Sequence, residues 1–345
     1  MITMNFPNRL VALLSGAALA LTSLAACSTP AATTSPSSES SSTTSAETAA
    51  PLSVAVAFYP FQFVAERVGG DLVTVENLTA PGAEPHGLEL APQQVALLST
   101  ADLVVFQAGF QPAVDAALQQ ADAKRTVDTA SFLELIPATV DDGHGHGDEE
   151  EHADEEHEGE EHEGEEEHEG EGGLDPHTWL DPTNMVQVAE HVRDALIEAR
   201  PEAADTLKTN TQALLDDLGA LDGEFKSGLA TCQIHAFITS HAAFGYLAHR
   251  YGLEQVGIRG VEPDVEPTAA RIAEVHEIAK AEGVTTIFFE TLVSPVVSES
   301  IAGDLGLKTD VLDPLEGLTA ESRGTDYLEV MRSNLASLRT ANQCA

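Results

Sequence analysis

The architecture follows from residues 201–229, which read PEAADTLKTNTQALLDDLGALDGEFKSGL. Pro201 suits the first turn of a helix. The large apolar side chains that follow recur at helical spacing, at Leu207, Leu214, Leu215, Leu218, Leu221 and Phe225. This helix is long for a globular domain, and alternating strand and helix patterns lie on both sides of it. We therefore predict a rigid helix that joins two lobes.

The flanking sequence alternates short β-branched and aromatic runs with longer helical patterns, which is typical of an α/β fold with mainly parallel sheets flanked by helices. The predicted N-terminal lobe, residues 51–200, has strands at 53–58, 73–78 and 103–106 and helices at 62–68, 92–99, 112–120 and 185–199. The predicted C-terminal lobe, residues 230–345, has strands at 237–240, 254–258, 285–289 and 308–312 and helices at 242–251, 267–282, 296–304 and 326–338.

The N-terminus has the proportions of a bacterial signal peptide. Arg9 precedes an apolar run over residues 10–24, which is too short to span a membrane. The run ends in LAAC, which resembles a lipobox whose cysteine, Cys27, becomes lipid-modified. We predict a lipoprotein signal peptide at 1–27 and a flexible Ser/Thr/Ala-rich tether at 28–50. The folded body is then lipid-anchored outside the cytoplasm, on the outer face of the cell membrane; an ordinary secretory signal is the alternative.

The remaining cysteines, Cys232 and Cys344, form an even pair in an oxidising compartment. We predict a disulfide that ties the end of the chain to the strand region near residue 232. Two free buried thiols are the alternative. A thiolate metal site is less favoured, because no CxxC spacing is present.

The formal net charge of −41 is concentrated in one segment. Residues 141–171 contain eighteen acids and no base, which leaves −23 for the rest of the chain. A body this acidic excludes nucleic acid as a partner. Residues 141–173 carry too little apolar surface for a core, so we predict a disordered acidic loop. Its imidazoles would bind several ions weakly, or the loop is merely a solvated tract; the histidines are His144, His146, His152, His157, His162 and His168.

Four potential metal ligands lie at strand ends or in proline-punctuated loops: His86, His177, His241 and Asp313. In open α/β sheets, ligands collect beyond the carboxyl ends of the strands. Three imidazoles and one carboxylate would close a tetrahedral zinc site across the cleft between the lobes.

Other acids and histidines are weaker candidates for the metal site, because their surrounding sequence does not single them out as ligands. Glu290 ends a predicted strand, where it either accepts the outer N–H of a ligand histidine or caps the next turn. The histidines that lie within predicted helices or strands are given a structural or solvated role: His191, His235, His249 and His276.

Five ordered motifs carry a family resemblance: EPHGLEL at 84–90, DPHTWLDP at 175–182, SHAAFGYLA at 240–248, IFFETLVSP at 287–295 and VLDPL at 311–315. In this order and spacing they resemble the metal-binding receptors of ABC importers (cluster A-I), and more narrowly the zinc-binding members, which carry a His-rich acidic loop. The resemblance covers residues 52–345.

The resemblance implies two α/β lobes joined by one long helix, with a single metal ion between them. Its ligands would be His86, His177 and His241, with Asp313, a different acid or water as the fourth. It also implies a monomeric receptor, not an enzyme, that delivers Zn²⁺ to an ABC permease in the same membrane. The alternatives are a manganese or iron receptor of the same family, a secreted zinc hydrolase, and a surface adhesin or metal buffer. The hydrolase is disfavoured because no HExxH motif is present.

Overall fold

The computed structural model describes residues 50–138 and 173–345. The predicted signal peptide at 1–27 with Cys27, the tether apart from Ala50 and the acidic loop apart from Gly173 lie outside the described residues. So do the six histidines of that loop, His144, His146, His152, His157, His162 and His168. Within the described ranges, no helix combines the length and the apolar character needed to cross a bilayer.

The N-terminal lobe is built on a four-stranded parallel sheet of order β2-β1-β3-β4. Its strands are β1 (Leu52–Val56), β2 (Val73–Asn77), β3 (Leu103–Phe106) and β4 (Thr126–Asp128). The connecting helices are α1 (Tyr59–Gly69), α2 (Pro92–Thr100) and α3 (Pro112–Leu118). The sequence analysis missed β4, because its three residues form a strand only by pairing with Val104, Val105 and Phe106 of β3.

Two consecutive helices follow: α4 (Pro182–Ala199) and α5 (Ala204–Leu229), joined by a 3₁₀ turn at Pro201–Ala203. The side chain of Asp181 caps α4 by accepting a hydrogen bond from the backbone N–H of Thr183. The predicted apolar stripe of α5 is buried, except that Leu215 is only partly so. The helix begins three residues after the predicted start because Pro201–Ala203 is 3₁₀.

The C-terminal lobe repeats the design with a second four-stranded parallel sheet, of order β6-β5-β7-β8. Its strands are β5 (Ala236–Thr239), β6 (Glu254–Gly257), β7 (Thr286–Phe289) and β8 (Lys308–Val311). Its helices are α6 (Gly245–Tyr251), α7 (Ala269–Ala281), α8 (Val296–Leu305) and α9 (Tyr327–Ala341). The start of α6 is later than predicted, because the Ala242 N–H bonds to the carbonyl of Gly260 instead of entering a helix.

The largest apolar cluster runs without interruption from one lobe to the other. Phe58 and Trp179 contribute from the N-terminal lobe, Leu218 from α5, and Phe237 and Met331 from the C-terminal lobe; each is at most 1% exposed. Because burial of apolar surface is the main driving force for folding, this shared core holds the two lobes in one arrangement.

The C-terminus is fastened to the start of the second sheet. Cys232 and Cys344 form a disulfide. The carbonyl of Asn342 accepts hydrogen bonds from the N–H groups of Gln233 and Ile234, both at 3.1 Å. Together these bonds fix α9 against the second sheet.

Replacing both Cys232 and Cys344 by serine should lower the free energy of unfolding by about 4 kcal/mol, because the bond closes a loop across 112 residues of the unfolded chain. Chemical denaturation measures the change. The wild type under reducing conditions is the matched control and should lose the same amount. A loss below about 0.5 kcal/mol, the range of ordinary surface substitutions, would contradict the expectation.

Candidate metal centre

Four buried ligand atoms converge between the two sheets: the Nε2 atoms of His86, His177 and His241 and the carboxylate Oε1 of Glu316. His86 is 6% exposed and the other three residues are at most 1% exposed. Glu316 Oε1 lies 3.4 Å from His86 Nε2, 3.4 Å from His177 Nε2 and 3.2 Å from His241 Nε2. The Nε2 atoms of His177 and His241 are 3.3 Å apart.

These separations match the edges of a small tetrahedron. A zinc ion with ligands at about 2.0–2.1 Å in tetrahedral geometry has ligand–ligand distances of about 3.3–3.4 Å. Four of the six edges fall between 3.2 and 3.4 Å. The donor set of three imidazole nitrogens and one carboxylate oxygen is therefore arranged with room for a single tetrahedral ion.

His177 lies in the loop before α4 and is oriented by Asp175. Its Nδ1 lies 2.8 Å from Asp175 Oδ1, which also accepts the backbone N–H of His177 at 2.9 Å. A carboxylate that accepts at Nδ1 leaves Nε2 free to face the centre. Gly245 makes room for this carboxylate, since a Cβ at that position would lie 2.3 Å from Asp175 Oδ2. The sequence analysis did not assign a role to Asp175.

His241 lies two residues beyond the end of β5, and Glu290 directly follows the neighbouring strand β7. Glu290 Oε1 lies 2.7 Å from His241 Nδ1 and accepts the backbone N–H of His241 at 3.1 Å. The hydroxyl of Ser240 donates to the same oxygen. Because parallel strands end at one edge of a sheet, adjacent strands bring the ligand and its acceptor together. The structure thus places Glu290 where an orienting acceptor would lie.

His86 lies in the loop between β2 and α2. Its backbone N–H donates to Glu84 Oε1 at 3.0 Å, so Glu84 acts here as an acceptor within the loop. Its Nδ1 is buried and has no hydrogen-bond partner among the described residues. Glu262 Oε2, from the other lobe, is 3.5 Å away.

The loops of His86 and His177 share one local design. Each reads acid-Pro-His, and the acid accepts the N–H of the histidine two residues later: Glu84 for His86, Asp175 for His177. A buried glutamine donates to the intervening proline carbonyl in each case, Gln111 to Pro85 and Gln107 to Pro176. Both glutamines belong to the connection from β3 to α3. One connection therefore positions two of the candidate ligands.

The prediction that Asp313 supplies the carboxylate is corrected by the geometry, since Asp313 is not part of the ligand group. Its Oδ1 accepts the N–H of Leu315 at 2.9 Å, and its Oδ2 accepts the hydroxyl of Ser322 at 2.8 Å. This turn carries Leu315 into a left-handed conformation with φ 61°. The chain then presents Glu316 to the histidines. Asp313 shapes the loop, and Glu316, which the sequence analysis missed, faces the centre.

Charge interactions in the centre are strong. Burial disfavours the charged form of His86, but the carboxylates of Glu262 and Glu316 outweigh it and raise its pKa to about 9. Burial opposes charge on His241 as well, yet Glu290 and Glu316 hold its pKa well above the ordinary value. Burial alone would raise the pKa of Glu316, whereas the surrounding imidazoles, His241 first, hold that pKa well below its usual range. A metal ion must therefore displace protons from His86 and His241.

The histidines given a structural or solvated role lie apart from this group. His191 stacks on Phe132 with ring centroids 3.7 Å apart. His235 Nδ1 lies 3.2 Å from the carbonyl of Gly252. Neither these nor His249 and His276 join the metal-ligand group of the described residues.

Comparison with known proteins gives consistent matches. The family model described as the periplasmic component A of the zinc-uptake complex, ZnuA, matches residues 54–341. The zinc-binding lipoprotein AdcA of Streptococcus pneumoniae TIGR4 is 37% identical over 295 residues, which cover 84% of this chain and 55% of AdcA. The chain thus spans about half the length of the AdcA relatives it matches. The high-affinity zinc uptake system protein ZnuA of Bacillus subtilis is 33% identical over 294 residues, covering 84% of this chain and 86% of that protein.

A solved structure shows the same fold. The Zn(II)-bound ZnuA-like domain of S. pneumoniae AdcA superposes with a TM-score of 0.67 at 33% identity, covering 85% of this chain and 99% of the domain. The two parallel sheets, the long helix between them and the family match lead to one conclusion. The chain belongs to the ZnuA family of periplasmic zinc-uptake components.

Proposed function

We propose that this protein captures one Zn²⁺ ion between its lobes, using the Nε2 atoms of His86, His177 and His241 and the carboxylate of Glu316. The observation that carries the proposal is the tetrahedral spacing of these four buried atoms, 3.2–3.4 Å along four edges. The zinc-binding names of the relatives AdcA and ZnuA support the same ion.

The donor set favours zinc over manganese and iron. Manganese(II) prefers oxygen-rich octahedral surroundings, whereas a compact tetrahedron of imidazole nitrogens suits zinc. The centre offers three nitrogens and one carboxylate oxygen.

Capture and release fit this centre better than hydrolysis does. Catalytic zinc keeps one coordination position open for water, but here four protein atoms fill the tetrahedron. The carboxylates Asp175 and Glu290 face the Nδ1 atoms of ligand histidines, so neither stands ready to act as a general base.

Delivery to an ABC permease completes the proposal. Lipidation of Cys27 and a tether over residues 28–50 would keep the receptor beside a permease of the same membrane, as a monomer on the outer face. The lipoprotein relative AdcA supports the anchor.

We assign the six histidines of the acidic loop to weak, auxiliary zinc binding. Ordering a long polar segment around an ion costs about 1–2 kcal/mol per residue fixed, which limits affinity there. The described ends of the loop lie together: the N–H of Ala138 bonds to the carbonyl of Gly173 at 2.8 Å, and Pro137 bridges Leu174. The loop can therefore be shortened without stretching the lobe.

One prediction tests whether Glu316 or Asp313 supplies the carboxylate ligand. Glu316→Gln should weaken zinc binding by more than about 100-fold, beyond the 10–100-fold typical of groups that only orient ligands. Asp313→Asn is the matched control, because the amide oxygen can still accept the N–H of Leu315; it should bind zinc far more tightly than E316Q. Competition with a zinc chelator measures both constants. Equal losses in the two variants would contradict the assignment.

The second prediction concerns pH. The raised pKa values of His86, about 9, and of His241 mean that zinc binding releases protons at neutral pH. Affinity should therefore rise from pH 6 through pH 8, because fewer protons remain to be displaced. Calorimetry in buffers of different ionisation enthalpy counts the protons released. A pH-independent affinity with no proton release would contradict the prediction.

The third prediction concerns the acidic loop. Deleting residues 141–171 should abolish weak zinc binding and leave one tight site with unchanged affinity, because the tetrahedron lies wholly within the described residues. Equilibrium dialysis gives the stoichiometry, and chelator competition gives the affinity. A variant with Gln at all six loop histidines provides the control of unchanged length. Loss of the tight site in either variant would argue against this division of roles.

A further inference from the structure

The three ligand histidines differ at their outer nitrogens. The Nδ1 atoms of His177 and His241 lie 2.8 and 2.7 Å from the buried carboxylates of Asp175 and Glu290. The Nδ1 of His86 is equally buried, but it has no hydrogen-bond partner among the described residues. A buried polar atom without a partner is rare and calls for an explanation.

The carboxylate of Glu262 is the acceptor within reach. Its Oε2 lies 3.5 Å from His86 Nδ1, and an N–H···O bond spans about 2.7–3.2 Å. A shift of a few tenths of an ångström therefore completes the bond. Glu262 belongs to the connection between β6 and α7 in the C-terminal lobe, whereas His86 belongs to the N-terminal lobe. The pair thus crosses the cleft.

Glu262 also differs from the other two acceptors in exposure. Its side chain is 60% exposed, against 2% for Asp175 and 1% for Glu290. Detaching a buried carboxylate from its histidine would leave an unpaired charge in the core, which is costly. Turning Glu262 out to water carries little such cost. Buried carboxylates therefore hold His177 and His241, whereas the carboxylate beside His86 can turn into solvent.

We propose that Glu262 is a positioning residue for the zinc ligand His86, accepting its Nδ1–H across the cleft when zinc is bound at Nε2. The inference rests on the proposed function. A carboxylate at this position fixes the imidazole tautomer and raises the basicity of the ligating nitrogen. It also fastens a ligand of one lobe to the other lobe without contacting the ion.

The substitution Glu262→Ala should weaken zinc binding by about 10–100-fold, mainly through faster dissociation, because the ring of His86 is no longer held. Glu266→Ala is the matched control, because Glu266 is exposed on the same connection and its substitution removes the same charge. Zinc should dissociate from E266A at the wild-type rate. Glu262→Gln keeps an acceptor oxygen and loses only the charge, so its loss should be smaller than that of E262A. Chelator competition and stopped-flow release measure the constants.

A spectroscopic readout separates positioning from a general effect on structure. In ¹⁵N-histidine spectra of the zinc-loaded protein, the Nδ1 proton of His86 should exchange slowly with solvent in the wild type and in E266A, and rapidly in E262A. The metal-free E262A protein should still unfold in one cooperative transition, with a melting temperature lowered only by the loss of the half-exposed His86–Glu262 ion pair.

The outcomes distinguish this inference from the function on which it rests. Equal dissociation rates and equal Nδ1 proton exchange in E262A and E266A, with tight binding retained by the wild type, would overturn the role of Glu262 alone. Absence of tight zinc binding in the wild type would overturn the proposed function and this inference together.

Discussion

One buried carboxylate oxygen facing three imidazole nitrogens is the constraint on which the rest of this structure depends. Glu316 is 1% exposed, and its Oε1 lies within 3.4 Å of all three Nε2 atoms. An isolated carboxylate in such a place would cost several kcal/mol. Among the described residues, the imidazoles of His86, His177 and His241 are its partners, and a metal ion bound between the four groups would balance the same charge. The folded chain therefore holds a site whose charge is balanced in two ways, by protons or by metal, and the exchange between them couples metal binding to pH.

Holding four side chains at that point requires support from both lobes. Trp179, two residues after His177, donates its indole N–H to the carbonyl of Pro314 at 2.7 Å, and the hydroxyl of Tyr327 donates to the carbonyl of Trp179 at the same distance. Pro314 lies two residues before Glu316. The ligand loops of the two lobes are thus bonded to each other beneath the centre, and the tetrahedral spacing does not depend on the ion alone.

The sequence predicts the three histidines because each carries a local signal, a flanking proline or an adjacent strand end. The carboxylate is different. Asp313 is the first acid after the end of β8, so a rule based on strand ends selects it. Glu316 reaches the centre because Asp313 closes a turn and Leu315 adopts φ 61°. The pattern of side chains in the sequence does not predict this backbone conformation. The same reasoning explains why β4 was missed, since it exists only through pairing with β3.

Ion pairs and a shared apolar core oppose separation of the two lobes. Arg250 of α6 bonds to Asp222 of α5 at 2.7 Å and approaches Asp181, the cap of α4, at 3.2 Å. The apolar core beneath is continuous between the lobes, and each Å² of apolar surface exposed by a hinge motion costs about 25 cal/mol. The loop that carries His86 is less buried than this interface between the lobes, because its residues Gly87 and Glu89 are exposed. His86 itself is 6% exposed, against at most 1% for His177, His241 and Glu316. The fold thus encloses His177, His241 and Glu316 completely and leaves His86 on the more solvated side of the site.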